Sequence, residues 1–286
     1  MYPQYRNKRF RILINNFCNY KCIFCHNEGQ FCKSPLILQY APTVLRKIVN
    51  SVENSGITIK DVIFSGGEPT LVKTLFRYIE AFKDKNTIII SNGYTLDYEL
   101  QKHFLDNGLQ EIHFSLHTLN PYIYAYLTKT SCSAFKRVIK NIKDGINLPI
   151  KRCINVVLLQ NIDHSISTAI QLLQFAKEQH ICKIQFIEVF NPFNTSSSDE
   201  LHSSISYLEK KLIEEGMLIG AKPISDRKTL YKLIDDEIFV VFTKCSFKNA
   251  KIKDIDIVID ASGVINFGNL MPYNINQLKL HRFHEN

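Results

Sequence analysis

An α/β protein built on a parallel sheet is the fold class predicted from three observations. Short apolar runs rich in β-formers alternate with longer amphipathic stretches. Six such units follow one another, and no Pro/Gly-rich linker divides the chain early. At 286 residues the chain can bury a large core.

The expected strands are FRILIN (10–15), DVIFS (61–65), TIIIS (87–91), EIHFSL (111–116), RCINVVLL (152–159) and KIQFIEVF (183–190). Helical patterns lie between them at 42–54, 70–83, 96–107, 133–145 and 163–180, with Asp106-Asn107-Gly108 and Asp144-Gly145 as stops. Strands this apolar imply a sheet covered by helices, either doubly wound or curled into part of a barrel. After Phe190, NPFNTSSSDELHSS reads as a polar loop. A helix is expected near 204–216, and IDIVIDASGVINF reads as a β-hairpin turning at 260–263. The chain thus divides into a core, 1–195, and a carboxyl-terminal extension, 196–286, packing on it.

In such sheets ligands gather at the carboxyl ends of the strands. Four unusual sequences fall there: CNYKCIFCHNEG after the first strand, GGEP (66–69) after the second, SNG (91–93) after the third and SLH (115–117) at the end of the fourth.

The formal charge of +8 comes from Lys and Arg scattered along the chain, which reads as a solvated surface; the terminal LHRFHEN reads as an ordinary basic tail. No nucleic-acid partner is expected. Nor is a membrane, because no run approaches the roughly 20 apolar residues of a spanning helix. Eight cysteines without an export signal point to a reducing cytoplasm, where thiols stay free or bind metal.

Cys18, Cys22 and Cys25 leave three readings open: a disulfide, the weakest of them in that compartment, a zinc site or an iron–sulfur cluster. Structural zinc takes four ligands, and His26, next to Cys25, is poorly placed to be the fourth. Three thiolates on a four-iron cubane leave one iron open for chemistry.

With Phe24 before the last cysteine, the spacing resembles the CxxxCxxC signature of the radical S-adenosylmethionine (SAM) superfamily. The resemblance implies a partial (β/α)6 TIM-like barrel. It also implies one [4Fe-4S] cluster on Cys18, Cys22 and Cys25, whose open iron is chelated by SAM. Reductive cleavage of SAM then gives a 5′-deoxyadenosyl radical that abstracts hydrogen from substrate, in an oxidoreductase or lyase. Gly66, Gly67, Glu68 and Pro69 resemble the site for the methionyl amino group: glycines let backbone approach a ligand, Glu68 accepts from an ammonium, and Pro69 stiffens the turn. Phe24 and Phe190 resemble adenine contacts, and Ser91, Asn92 and Ser115 fall among the SAM-side positions.

A wider run, including Arg11, FSGGEPTL, SNGYTL, FSLHTLNP, INVVLLQNID and FIEVF, resembles the GTP cyclase of molybdenum-cofactor biosynthesis over roughly residues 10–190. The substrate end departs from it. Only Cys245 stands where that branch holds a second cluster, and Asp256 and Val258 fall near its nucleotide arginines. Ile63 and Cys153 replace two further cations, although Arg152 is adjacent to the latter. GTP is therefore not the expected substrate. Arg11, Arg152 and Asn155 are the candidate substrate contacts, and Cys32, Cys132, Cys153, Cys182 and Cys245 read as ordinary thiols. The expected partners are a small metabolite, nucleoside or sugar as substrate and an electron donor such as flavodoxin or ferredoxin. A peptide substrate, a non-catalytic iron–sulfur or SAM-binding protein and a zinc-stabilised domain are the alternatives.

Overall fold

The computed structural model describes residues 7–25, 27, 30, 34–158, 166–188, 205–225, 227–244 and 256–267. Six parallel strands form its centre: β1 (Asn7–Asn15), β2 (Thr58–Gly66), β3 (Asn86–Ser91), β4 (Glu111–Ser115), β5 (Lys151–Leu158) and β6 (Lys183–Glu188). Each crossover carries helix: α1 (Pro42–Asn54), α2 (Leu75–Ala81), α3 (Tyr98–Asp106), α4 (Pro121–Thr128) with α5 (Cys132–Asp144), and α6 (Ile166–Glu178). The remaining described elements are α7 (Ile205–Glu214), β7 (Leu218–Ser225), β8 (Lys228–Leu233), β9 (Phe239–Thr243), β10 (Ile257–Ile259) and β11 (Ile265–Phe267).

All eleven strands join one sheet in the order β11-β10-β1-β2-β3-β4-β5-β6-β9-β8-β7. The carboxyl-terminal strands thus extend the sheet at both ends, β9 parallel to β6 and β10 parallel to β1. The sheet is not closed by hydrogen bonds, as a partial barrel requires. It nonetheless curls, since Lys228 on β8 lies within electrostatic reach of Arg9 and Arg11 on β1 and of Asp256 beside β10.

Local chemistry sets the helix starts. Asp97, Asn120 and Ser131 accept hydrogen bonds from the first-turn amides of α3, α4 and α5, and Pro42 begins α1. The single helix expected at 70–83 is instead a 3₁₀ turn, Pro69–Leu71, followed by the short α2. The Glu68 carboxylate caps the start of that turn by accepting from the Thr70 amide, and Val72, in extended conformation, ends it.

Strand alternation gives the sheet two faces. Phe10, Ile12 and Ile14 of β1, Val62 and Phe64 of β2, Ile112 and Phe114 of β4 and Ile154 and Val156 of β5 join the helices in one core. The opposite, inner face is far more polar: Arg9, Arg11, Ser65, Glu111, His113, Ser115, Cys153, Asn155, Lys183 and Gln185 alternate with those core residues in register. No described helix is long and apolar enough to cross a membrane.

Arg152 does not join the inner face. It pairs in register with Ile112 under the helices, is 2% exposed, and donates to the Ile142 carbonyl at 2.8 Å and to the Gln179 carbonyl. The expected substrate contact is therefore a strap between the carboxyl ends of α5 and α6, where partial negative charge collects. Arg152→Met is expected to lower unfolding free energy by about 1–3 kcal/mol by stranding those carbonyls. Urea titration measures the loss, and an unchanged substrate KM separates it from a binding role.

Candidate active site

The cysteine loop leaves β1 at Asn15 and is tied down along its length. Gly67 N–H donates to the Asn15 carbonyl and Glu68 N–H to the Phe17 carbonyl, at 3.0 and 2.9 Å. A Cβ on Gly67 would stand 2.1 Å from the Phe17 oxygen, and one on Gly66 2.3 Å from the Asn15 oxygen; Gly66 also has φ +132°. The paired glycines are thus required by the approach of two backbones. The sequence suggested room for a ligand; the structure places the cysteine loop itself there.

Glu68 is 1% exposed, and its carboxylate is already engaged by the protein. It accepts from the Thr70 amide and hydroxyl at 3.2 and 2.6 Å, the Ser91 hydroxyl at 2.8 Å and the Asn92 amide at 2.8 Å. Burial pushes its carboxyl up from the usual range, against these four donors. Ser91, 2% exposed, serves the same knot, so its hydroxyl is turned to Glu68 and not to the open edge. Asn92 carries the knot into the cysteine loop, with Nδ2 donating to Asn19 Oδ1 at 2.8 Å and approaching Cys18 Sγ at 3.7 Å. Pro69 is buried beneath.

The far side of the loop rests on α4, which the sequence reading missed because PYIYAYLT is short and apolar all round. Lys21 and Ile23 donate backbone bonds to Thr128 and Leu127. Tyr20 packs edge-on against Tyr94 and Tyr124. Phe24 stands edge-on to His117, 4.7 Å between ring centres, in a small apolar group with Leu127, Ile123 and Val157.

So braced, the loop leaves Cys18 and Cys25 exposed and Cys22 half-buried. Desolvation by the protein packed behind the loop pushes the Cys18 thiol up to about 11, with Glu68 and Cys25 adding, and the Cys22 thiol up to about 12, with Cys25 and Cys18 adding. A cationic metal centre reverses that penalty, because it binds thiolates. Three thiols, two of them exposed at an open front, fit a [4Fe-4S] cluster with one iron free for SAM.

Ser115 ends β4 half-buried, opposite Asn155, on the inner face that leads to the cysteines. Asn155 is 9% exposed, and its Oδ1 has no hydrogen-bond partner among the described residues. Arg11 lies between β10 and β2, not at a strand edge, with Nε 3.8 Å from Asp256; Arg9 pairs that carboxylate at 2.8 and 2.9 Å. Phe190, His26, Cys32 and Cys245 lie outside the described residues.

At the amino end of the inner face Glu111 Oε1 meets His113 Nε2 at 2.6 Å, Lys183 Nζ at 2.9 Å and Cys153 Sγ at 3.0 Å. Burial alone would raise Glu111, but the His113 and Lys183 contacts hold it well below the carboxylate range. Burial also lowers His113, so its imidazole is neutral near pH 7.

Three outcomes follow. Gly67→Ala is expected to reduce bound iron and sulfide severalfold after anaerobic reconstitution and to lower Tm, since backbone and not a side-chain tip must yield. Cys22→Ala should keep the circular dichroism spectrum while abolishing 5′-deoxyadenosine formation. Both depressed groups oppose acid: the unfolded chain takes up protons at His113 below about pH 6.5 and at Glu111 below about pH 4.3, before the folded one does. Unfolding free energy should therefore fall as pH drops from 7 toward 4, and His113→Asn should flatten the upper part of that slope in denaturant titrations.

Comparison with known proteins agrees with this geometry. The Radical SAM superfamily profile matches residues 12–173, more than half of the chain. A probable GTP 3′,8-cyclase of Methanosarcina acetivorans is 30% identical over 241 residues, 82% of this chain and 69% of that protein. One from Pyrobaculum aerophilum is 27% identical over 78% of this chain and 70% of its own length, and one from Sulfurisphaera tokodaii is matched over only 63% of its length. Among solved structures, Streptococcus suis SuiB bound to S-adenosylmethionine superposes with TM-score 0.69 at 15% identity, over 96% of this chain and 63% of that one. The anSMEcpe protein with bound AdoMet gives 0.64 at 16% identity, over 93% and 76%. With the braced CxxxCxxC loop at the strand ends, the chain belongs to the radical SAM superfamily, as an enzyme using a [4Fe-4S] cluster and SAM.

Proposed function

We propose that the enzyme modifies a small molecule carrying a single anionic group, which Arg11 and Lys228 hold on the inner face of the sheet. The carrying observation is the crowding of positive charge there. Burial, with Arg9, Arg11 and Arg227 nearby and Asp256 opposing them, pushes Lys228 down to about 7. An anionic group entering beside Lys228 restores its charge and relieves that repulsion.

A triphosphate suits this face poorly. Asp256 stands near a position where the cyclase resemblance places an arginine, and it consumes Arg9 in a two-pronged ion pair. Ile63 and Cys153 fill two more of those cation positions on the same face. One carboxylate or one phosphate matches the charge that remains. Asn155 and Ser115 lie on that face toward the cysteine loop, where they suit polar groups on the substrate. When bound, the cluster and SAM supply reductive carbon–sulfur cleavage and a hydrogen-abstracting 5′-deoxyadenosyl radical. The chain's own part is to hold the substrate at one end of the lumen and the cofactors at the other.

Anaerobic reconstituted enzyme, reduced with SAM present, is expected to release 5′-deoxyadenosine faster with the right anionic small molecule than with its neutral ester or with GTP. Acceleration by neutral analogues or GTP alone would reject the reading. Because Lys228 is half-deprotonated near pH 7, substrate affinity should fall as pH rises above 7, with uptake of up to one proton on binding. Calorimetry at pH 8 in buffers of different ionisation heat measures that uptake, and Lys228→Met should abolish it.

A further inference from the structure

We propose that Glu111, His113, Cys153 and Cys182 form a second metal site, for a zinc-class divalent ion, at the opposite end of the strands from the cysteine loop. Three potential ligand atoms, from Glu111, His113 and Cys153, all lie within 4.8 Å of one another, and all three residues are buried. They come from adjacent strands on one face: Glu111 and His113 are two residues apart on β4, and Cys153 pairs with His113 in register on β5. Cys182, just before β6, lies outside that set but holds a fourth donor, its sulfur 3.9 Å from that of Cys153, and it must move inward to complete a tetrahedron.

The donor set is one imidazole, one carboxylate and two thiols, a borderline mixture suited to zinc and cobalt(II) and not to magnesium or calcium. In a zinc tetrahedron with bonds of about 2.0–2.3 Å, neighbouring ligands stand about 3.3–3.8 Å apart. The sulfur pair, at 3.9 Å, stands just beyond that spacing. The Glu111 contacts to His113 and Cys153, at 2.6 and 3.0 Å, must each open by less than about 1 Å. Binding displaces two thiol protons and requires His113 Nε2 to offer its lone pair, its ring proton residing on Nδ1.

Lys183 is the competing cation. Its ammonium sits 2.9 Å from Glu111 Oε1, and its side chain is 28% exposed, so it can withdraw into the lumen when an ion enters. The site owes nothing to Cys18, Cys22 and Cys25, and its test is independent of SAM chemistry.

Full-length protein carrying Cys18→Ala, Cys22→Ala and Cys25→Ala removes the loop thiols from the assay. Anaerobic titration with cobalt(II) is expected to saturate at one ion per chain, with a sulfur-to-cobalt charge-transfer band and tetrahedral d–d bands. Cys153→Ser and His113→Ala should each weaken binding at least tenfold. Lys183→Met, which removes the competitor without touching a ligand, should tighten it about tenfold, so the idea stays testable if a ligand variant misfolds. Absence of cobalt binding, a bound ion without the sulfur band, or affinity indifferent to both Cys153→Ser and Lys183→Met would overturn the assignment.

Discussion

Between β2 and the loop leaving β1 there is no room for a side chain. A Cβ on residue 66 or 67 would lie little more than 2 Å from the carbonyl oxygens of Asn15 and Phe17, well inside the distance at which two heavy atoms repel. Everything at the strand ends depends on that contact. It lets the Gly67 and Glu68 amides reach Asn15 and Phe17, and it swings the Glu68 carboxylate into the seam where Thr70, Ser91 and Asn92 converge. A buried carboxylate is costly in isolation, but four donors offset the cost, and the knot then fixes three strand-end loops in one geometry. Cys18, Cys22 and Cys25 are presented on a frame whose own polar groups face inward.

The two ends of the inner face differ in kind. Near the cysteine loop stand hydroxyl and amide groups, Ser115 and Asn155. Deeper in, charges are concentrated: Arg9 and Arg11 against Asp256, and Lys183 against Glu111, which the neutral His113 also contacts. Separating cofactor and charged groups along one lumen lets the same sheet orient a substrate by its anionic end and offer its other end for chemistry. On the side of the sheet under the helices, Arg152 is given over to carbonyls at helix ends.

Much of this was legible in the sequence, for physical reasons. The six central strands each carry an apolar, β-branched run toward the helices, and these runs stand out, so they were found within a few residues. The short α4 carries no polar face and gave no period. β7 holds Gly220 and Pro223, and most of its residues are exposed, so it reads as a turn-rich loop; β8 and β9 went unnoticed beside it. The cysteine loop and GGEP were found at once, but the reason for the glycines was not, because it lies in a loop some fifty residues away. Arg152 and its neighbour Cys153 illustrate the same limit. Adjacent in the chain, they point to opposite faces of β5, and the register against β4 decides which of them meets the lumen.

The sequence by itself determined the parallel α/β architecture, the placing of the functional sequences at strand ends and the donor chemistry of the three cysteines. These follow from periodicity and spacing, which are properties of a local stretch of chain. Only the tertiary structure decided that Glu68 and Ser91 brace the site, that Lys228 comes within electrostatic reach of Arg11, and that Cys153 meets Glu111 and His113 with Cys182 beside it. Apart from Glu111 and His113, neighbours on one strand, those partners stand tens to hundreds of residues apart, and the curl and register of the sheet bring their side chains within bonding or electrostatic reach.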